Sequence, residues 1–162
     1  MLDLFAFTGR FDSAKVWQPL THLLLHFDLL HLLSNLGLLG LLTVYERRVG
    51  HARYLAVLAV AGLASIPSVW MYSEPVLVCG ISGGLLGLAA AYFTDHKELS
   101  RREWAVAVVV FLALFLILSL IDEIRTGGPG GAAGPLSYQI DHIGHLLGAA
   151  AGLVYCRLRP RD

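Results

Sequence analysis

Long apolar runs, separated by short polar stretches, dominate this sequence. A membrane-spanning helix needs roughly 20 mostly apolar residues, and five runs meet or nearly meet that length. They are residues 29–45, 54–72, 77–93, 104–121 and 139–156. The fourth is the clearest, because residues 105–118 are apolar without a break. The pattern therefore predicts an all-α membrane protein, a helical bundle with five transmembrane helices.

Composition agrees with this pattern and narrows the class of protein. The chain has 162 residues, of which 56% are hydrophobic and only 15% charged, and its formal net charge is zero. We interpret residues 1–162 as a single domain. A nucleic-acid partner is set aside, because it would require a concentrated basic face. Cys79 and Cys156 are expected near opposite membrane faces, too far apart to form a disulfide.

The basic residues predict how the helices are oriented. Arginine and lysine next to membrane spans favour the cytoplasmic side. Nine of the twelve basic residues fall in alternate loops and the C-terminal tail, which are then cytoplasmic. They are Arg47, Arg48, Arg53, Lys97, Arg101, Arg102, Arg157, Arg159 and Arg161. This places residues 1–28 outside the cytoplasm, as a partly membrane-embedded loop, while residues 126–135, TGGPGGAAGP, are expected to form a flexible loop.

Four polar side chains inside the predicted helices suggest a functional site. Polar groups in a span are unfavourable and by default indicate function. Counted from the outer helix ends at 1.5 Å per residue, Ser82 lies roughly 8 Å deep, His145 and Asn35 roughly 9 Å, and His31 roughly 3 Å. His31 and Asn35 are four residues apart and share one helical face. Taken singly, each residue also has a purely structural interpretation, but their common side and depth favour a shared role.

Acyl transfer is the chemistry that fits this set of groups. A serine hydroxyl needs a neighbouring base, and a neutral imidazole is the usual one near pH 7. Ser82 is therefore the predicted nucleophile and His145 the base, while His31 and Asn35 can stabilise an oxyanion. Gly80 and Gly83 would allow substrate backbone to approach the serine. No acidic residue lies deep enough in a span to orient His145, which favours a Ser-His dyad; Asp141 is expected at the helix mouth.

These residues occur in motifs that resemble those of the rhomboid family of intramembrane serine proteases. THLLLHFDLLHLLSN, residues 21–35, is similar to the stretch whose histidine and asparagine line the family's oxyanion hole. GISG at 80–83 resembles its GxSG nucleophile motif, HLLGAAAG from His145 resembles its histidine followed by small residues, and YERRVG at 45–50 looks like the end of its second core helix. The resemblance implies the same catalytic roles, and structural roles for His22 and His26.

The sequence also departs from the rhomboid pattern, and three interpretations stay open. The chain begins within what would be the loop after the family's first helix, so that helix is either absent or was lost with an upstream start. The family's Trp-Arg pair appears here as Trp17-Gln18, and Leu86 stands where the family often has an aromatic residue four positions after the serine. The principal hypothesis is an endopeptidase that cleaves transmembrane-helix substrates near the outer face, without metal or organic cofactor, in a prokaryotic plasma membrane. One alternative is a non-catalytic rhomboid-like protein that binds transmembrane helices. The other, the weakest, makes the histidines metal or haem ligands.

Overall fold

Seven α-helices make up most of the described chain. The computed structural model describes residues 2–7, 9, 13–72, 78–95, 100–126 and 141–160. The helices are α1 (Leu2–Phe5), α2 (Gln18–Thr21), α3 (Leu29–Val49), α4 (His51–Ala64), α5 (Ser82–Thr94), α6 (Arg101–Thr126) and α7 (His142–Leu158). The predicted flexible loop, apart from Thr126, lies outside the described residues. The predominantly helical class expected from the sequence is confirmed for the described part of the chain.

The boundary between α3 and α4 lies at Gly50 rather than near residue 45. The Asp28 side chain caps the start of α3 by accepting a hydrogen bond from the His31 N–H at 2.7 Å. At the other end Gly50 adopts a φ of 84°, which favours glycine and stops the helix. Arg47 and Arg48 therefore lie in the last turn of α3 rather than in a loop, and α4 starts at His51, three residues before the predicted start.

Helix α5 begins at Ser82 itself, so the start predicted near residue 77 is wrong. Phe7 and Val78 exchange backbone hydrogen bonds, with N···O distances of 3.3 and 3.0 Å, and this bridge keeps the chain before the helix extended. Gly80 follows with a φ of 107°, a conformation that an L-residue rarely adopts. Residue 77 lies outside the described residues. Ser82 is consequently the first residue of its helix instead of lying more than a turn inside it.

The remaining helix limits also differ from the sequence prediction for local reasons. Helix α4 stops at Ala64, and a 3-10 turn containing Pro67 continues to Trp70, because proline does not support a regular α-helical interior. Helix α6 starts at Arg101, where Ser100 and Glu103 exchange capping hydrogen bonds. Helix α7 starts at His142 and is capped by Asp141, whose side chain accepts the Gly144 N–H.

Helix α5 lies at the centre of the bundle and contacts α3, α4, α6 and α7. Its contact with α7 is made by glycines spaced four residues apart on both helices. A methyl group on Gly148 would lie 2.7 Å from the Gly83 carbonyl carbon, and one on Gly152 would lie 2.8 Å from that of Gly87. The two backbones therefore touch directly, as small residues permit in membrane helices.

A buried ion pair joins the ends of the helices opposite Ser82. Arg53 donates two hydrogen bonds to the Asp95 carboxylate, from Nε at 2.7 Å and from Nη2 at 2.9 Å. Tyr45 donates its hydroxyl to the same carboxylate at 2.6 Å. The bonds connect the end of α3, the start of α4 and the end of α5. Because both oxygens of Asp95 are paired, the charge can be buried at this end of the bundle.

Within the described residues, one continuous helical segment is long and apolar enough to cross a membrane. It runs from His51 to Trp70 and joins α4 to the 3-10 turn. Helix α5 is apolar as well but has only 13 residues. The total of five transmembrane helices stays a prediction from the sequence.

The glycine contact between α5 and α7 predicts a strong position dependence of glycine substitutions. Gly152→Ala should lower the free energy of unfolding by about 1–3 kcal/mol, because its methyl group meets rigid backbone. Gly40→Ala is the matched control, since a methyl group there has nothing within 4 Å. It should leave stability unchanged or raise it slightly. Thermal unfolding of both variants in detergent measures the difference, and equal midpoints would contradict the proposed contact.

Candidate active site

The structure brings Ser82 and His145 into direct contact. Ser82 is the first residue of α5, and His145 lies in the first turn of α7. The Nε2 atom of His145 lies 2.7 Å from the Oγ atom of Ser82, which is hydrogen-bonding distance. Both side chains are partly exposed. The histidine of α7 that bonds Ser82 is therefore His145 and not His142, which lies three residues earlier.

The glycine contact explains how two residues 63 positions apart come so close. Gly83 follows the serine directly, and Gly148 lies three residues after the histidine. Because these two backbones touch, the first turns of α5 and α7 lie side by side. Gly83 also faces Ser65 of the preceding segment, where an added methyl group would lie 2.7 Å from Oγ. Gly83 is thus a packing residue in this structure, beyond its predicted place in the nucleophile motif.

His31 and Asn35 face Gly80, in the loop that leads into Ser82. A methyl group on Gly80 would lie 2.9 Å from Nε2 of His31 and 3.7 Å from Nδ2 of Asn35. The loop is held there by the Gly80 N–H, which donates to the His22 carbonyl oxygen at 2.8 Å. All four predicted polar residues therefore lie at the same end of the bundle, near the N-terminal ends of α3, α5 and α7.

The side chain of Asn35 carries an unused hydrogen-bond donor. Asn35 is 7% exposed, and its buried Nδ2 finds no hydrogen-bond partner among the described residues. The Nδ1 atom of His31 is buried and unpartnered in the same sense. Buried polar groups are nearly always paired, so exceptions of this kind require an explanation. A donor kept free beside a serine can bind a group that forms only during a reaction.

Aromatic rings fix the orientation of His31. Its ring packs edge-on against His26, with centroids 4.9 Å apart, and stacks on Phe27 at 6.1 Å. His22 is fully buried, and its Nδ1 bonds the Gln18 carbonyl oxygen at 3.2 Å. Among the described residues no three His, Cys, Asp or Glu side chains converge as a metal-binding group would. His22 contacts the Gln18 backbone, and His26 contacts the ring of His31.

Sequence reasoning missed two residues that support α7. The Asp141 carboxylate accepts hydrogen bonds from the hydroxyls of Ser68 and Tyr72, which lie about 70 residues earlier in the chain. Neither residue belongs to a motif, and both occupy a run that reads simply as the end of a membrane span. The sequence placed Asp141 at the mouth of the last helix but gave no sign of these two partners.

The structure is an apolar helical bundle in which a serine and a histidine are in contact, and comparison with known proteins gives its family. The model of the Rhomboid domain matches residues 13–161, so the chain belongs to the rhomboid family. Rhomboid proteins are embedded in membranes, and they are generally serine proteases. The chain is also similar to "Rhomboid-like protease 3" of Toxoplasma gondii, with 24% identity over 165 residues. That match covers 97% of this chain and 58% of the relative.

The contact between Gly80 and His31 can be tested with two glycines of similar conformation. Gly80 and Gly50 both have positive φ angles, so alanine at either position should destabilise the fold by about 1–3 kcal/mol. Only Gly80→Ala should also displace the His31 ring. We expect this variant to react with a fluorophosphonate at Ser82 roughly tenfold more slowly, whereas Gly50→Ala should react at the wild-type rate. Equal rates for the two variants would contradict the proposed role of the Gly80 contact.

Proposed function

We propose that this protein is an intramembrane serine endopeptidase that uses a Ser82-His145 dyad. The observation that carries the proposal is the 2.7 Å contact between Ser82 Oγ and His145 Nε2, with His31 and Asn35 facing the same loop. Membership of the rhomboid family supports the same activity. Ser82 and His145 are proposed as the catalytic residues, and His31 and Asn35 as the residues that stabilise the oxyanion.

The contact between the two side chains suits proton transfer. With its proton on Nδ1, His145 accepts the Ser82 hydroxyl proton at Nε2 while Oγ attacks the carbonyl carbon of the scissile peptide. The attack forms the Oγ–C bond and places a negative charge on the carbonyl oxygen. A short, direct hydrogen bond between nucleophile and base is the arrangement that such a step requires.

The free donors near Gly80 suit the charge that this attack creates. Asn35 Nδ2 and the His31 ring can donate to the oxyanion, together with the backbone N–H of Ser82. Ser82 lies at the N-terminus of α5, where the partial positive charge of the helix adds to the stabilisation. Because these groups are already in place, they need little rearrangement when the charge appears.

The remaining steps require only His145 and water. Collapse of the tetrahedral intermediate breaks the C–N bond, and His145 returns its proton to the leaving amine. Water then attacks the acyl-enzyme ester, His145 takes a proton from that water, and Ser82 regains it when the ester breaks. We propose that no metal or organic cofactor takes part, since the four side chains fill the required roles.

The membrane placement of the site is part of the same proposal. Five transmembrane helices, with residues 1–28 outside the cytoplasm, would put the N-terminal ends of α3, α5 and α7 at the outer face. The nine basic residues at the other ends support this orientation. Substrates would then be transmembrane proteins cleaved near the outer face of a prokaryotic plasma membrane, where water reaches the site.

The catalytic pair can be tested against a second histidine on the same helix. Ser82→Ala and His145→Ala should each reduce cleavage of a reconstituted transmembrane substrate to background, a loss of about 10³-fold or more. His142→Ala should retain wild-type cleavage, because its ring is not bonded to Ser82. Wild-type protein that binds the substrate but leaves it intact would instead support the non-catalytic alternative. Fluorophosphonate labelling that persists in Ser82→Ala would show that Ser82 is not the nucleophile.

The proposed oxyanion donor gives a second prediction about rates. Asn35→Ala should lower kcat by about 10²-fold and change KM little, because the lost bond forms mainly in the transition state. Ser34→Ala is the matched control: Ser34 is exposed, and its hydroxyl donates to the His31 carbonyl oxygen in its own helix. Steady-state kinetics with a peptide substrate separate the two parameters. A change in KM alone would argue that Asn35 binds ground-state substrate instead.

A further inference from the structure

The carboxylate of Asp141 binds three donors from two different parts of the chain. Its Oδ1 accepts the Gly144 N–H and the Tyr72 hydroxyl, each at 2.7 Å. Its Oδ2 accepts the Ser68 hydroxyl. Capping the start of α7 requires only the bond from Gly144. The other two bonds join α7 to the segment that follows α4.

The two hydroxyl donors are well anchored. Ser68 is completely buried in the 3-10 turn, and Tyr72 follows two residues after the end of that turn. An extra methyl group on Gly144 would lie 3.0 Å from the Ser68 hydroxyl oxygen, so the turn packs directly on the first turn of α7. Any movement of Asp141 along the helix axis would therefore break hydrogen bonds that water is poorly placed to replace.

His145 is joined to Asp141 through the helix backbone. The His145 N–H donates to the Asp141 carbonyl oxygen at 2.9 Å, the first regular bond of the helix. Residues four apart lie about 6 Å from each other along the axis of an α-helix. Since one turn of helix is stiff, fixing the height of Asp141 also fixes the height of the His145 ring.

The glycine contact between α5 and α7 brings the two helices together but constrains this height only weakly. Glycine surfaces carry no side chains that could interlock, so they set how close the two helices lie but resist sliding along their axes weakly. A displacement of about 1 Å between reacting groups can lower a rate about 10²-fold. The site therefore needs a second constraint, one that acts along the axis of α7.

We propose that Asp141 is a positioning residue for His145: its bonds to Ser68 and Tyr72 hold α7 at the height at which His145 reaches Ser82. The inference rests on the function proposed above. It assigns Asp141 no contact with substrate and no proton transfer.

The test removes the hydroxyls and leaves the carboxylate in place. The double variant Ser68→Ala/Tyr72→Phe keeps the charge of Asp141 and its cap on Gly144. We expect the limiting rate of Ser82 labelling by a fluorophosphonate to fall roughly tenfold or more, with the half-saturating probe concentration within about twofold of wild type.

Asp141→Asn, which can still accept the Gly144 N–H, should retain more of the labelling rate than Asp141→Ala. If the double variant does not fold, Tyr72→Phe alone should still slow labelling about threefold.

Tyr45→Phe is the matched control, because it removes the same kind of tyrosine-carboxylate bond at the opposite end of the bundle. Its thermal midpoint should fall, but its labelling rate should equal that of wild type. If wild-type protein labels and the double variant labels at a rate within twofold of it, the role of Asp141 is overturned and the protease proposal stays intact. An equal loss of labelling rate in Tyr45→Phe would also overturn the role of Asp141, because a general loss of stability would then explain both results. Wild-type protein that does not label at all would overturn the proposed function itself.

Discussion

The backbone contact between α5 and α7 is the constraint on which the rest of the structure depends. Membrane helices gain little from burying apolar groups against each other, because lipid is equally apolar. Close packing must supply the attraction instead, and here it comes from glycines placed every fourth residue on both helices. The same contact places Ser82 beside His145. One set of small residues thus stabilises the fold and assembles the candidate site.

Two clusters of polar side chains, at the two ends of the bundle, are paired differently. At the end with Tyr45, Arg53 and Asp95, both oxygens of the buried carboxylate are paired, which makes a fixed junction between three elements. At the other end, Asn35 and His31 keep buried atoms without partners among the described residues. A fully paired cluster suits anchoring, whereas unpaired donors suit binding of a transient charge. The contrast is between the Asp95 carboxylate and the donors near Gly80, since the hydroxyl of Tyr54, whose ring packs on Tyr45, is also buried without a partner among the described residues.

Much of the fold and of the site could be predicted from local features of the chain. Apolar runs gave the long helices, since their length and continuity are properties of the sequence itself. The four polar residues were identified because polar groups in apolar runs are unfavourable without a role. Helix ends were predicted less well. Gly50 ends α3 and Gly80 precedes α5 through positive φ angles, and the φ angle of a glycine is not readable from the apolar pattern.

By itself the sequence determined the helical class, the membrane character and which side chains are candidates for chemistry, because each follows from residues near one another in the chain. Tertiary structure alone decided that the side chains of Ser82 and His145 are in direct contact, that Gly80 lies against His31, and that Asp141 is held by Ser68 and Tyr72. The members of these pairs lie 49 to 73 residues apart in the chain. Contacts over such distances depend on how the helices pack, and helical periodicity carries no information about which faces meet.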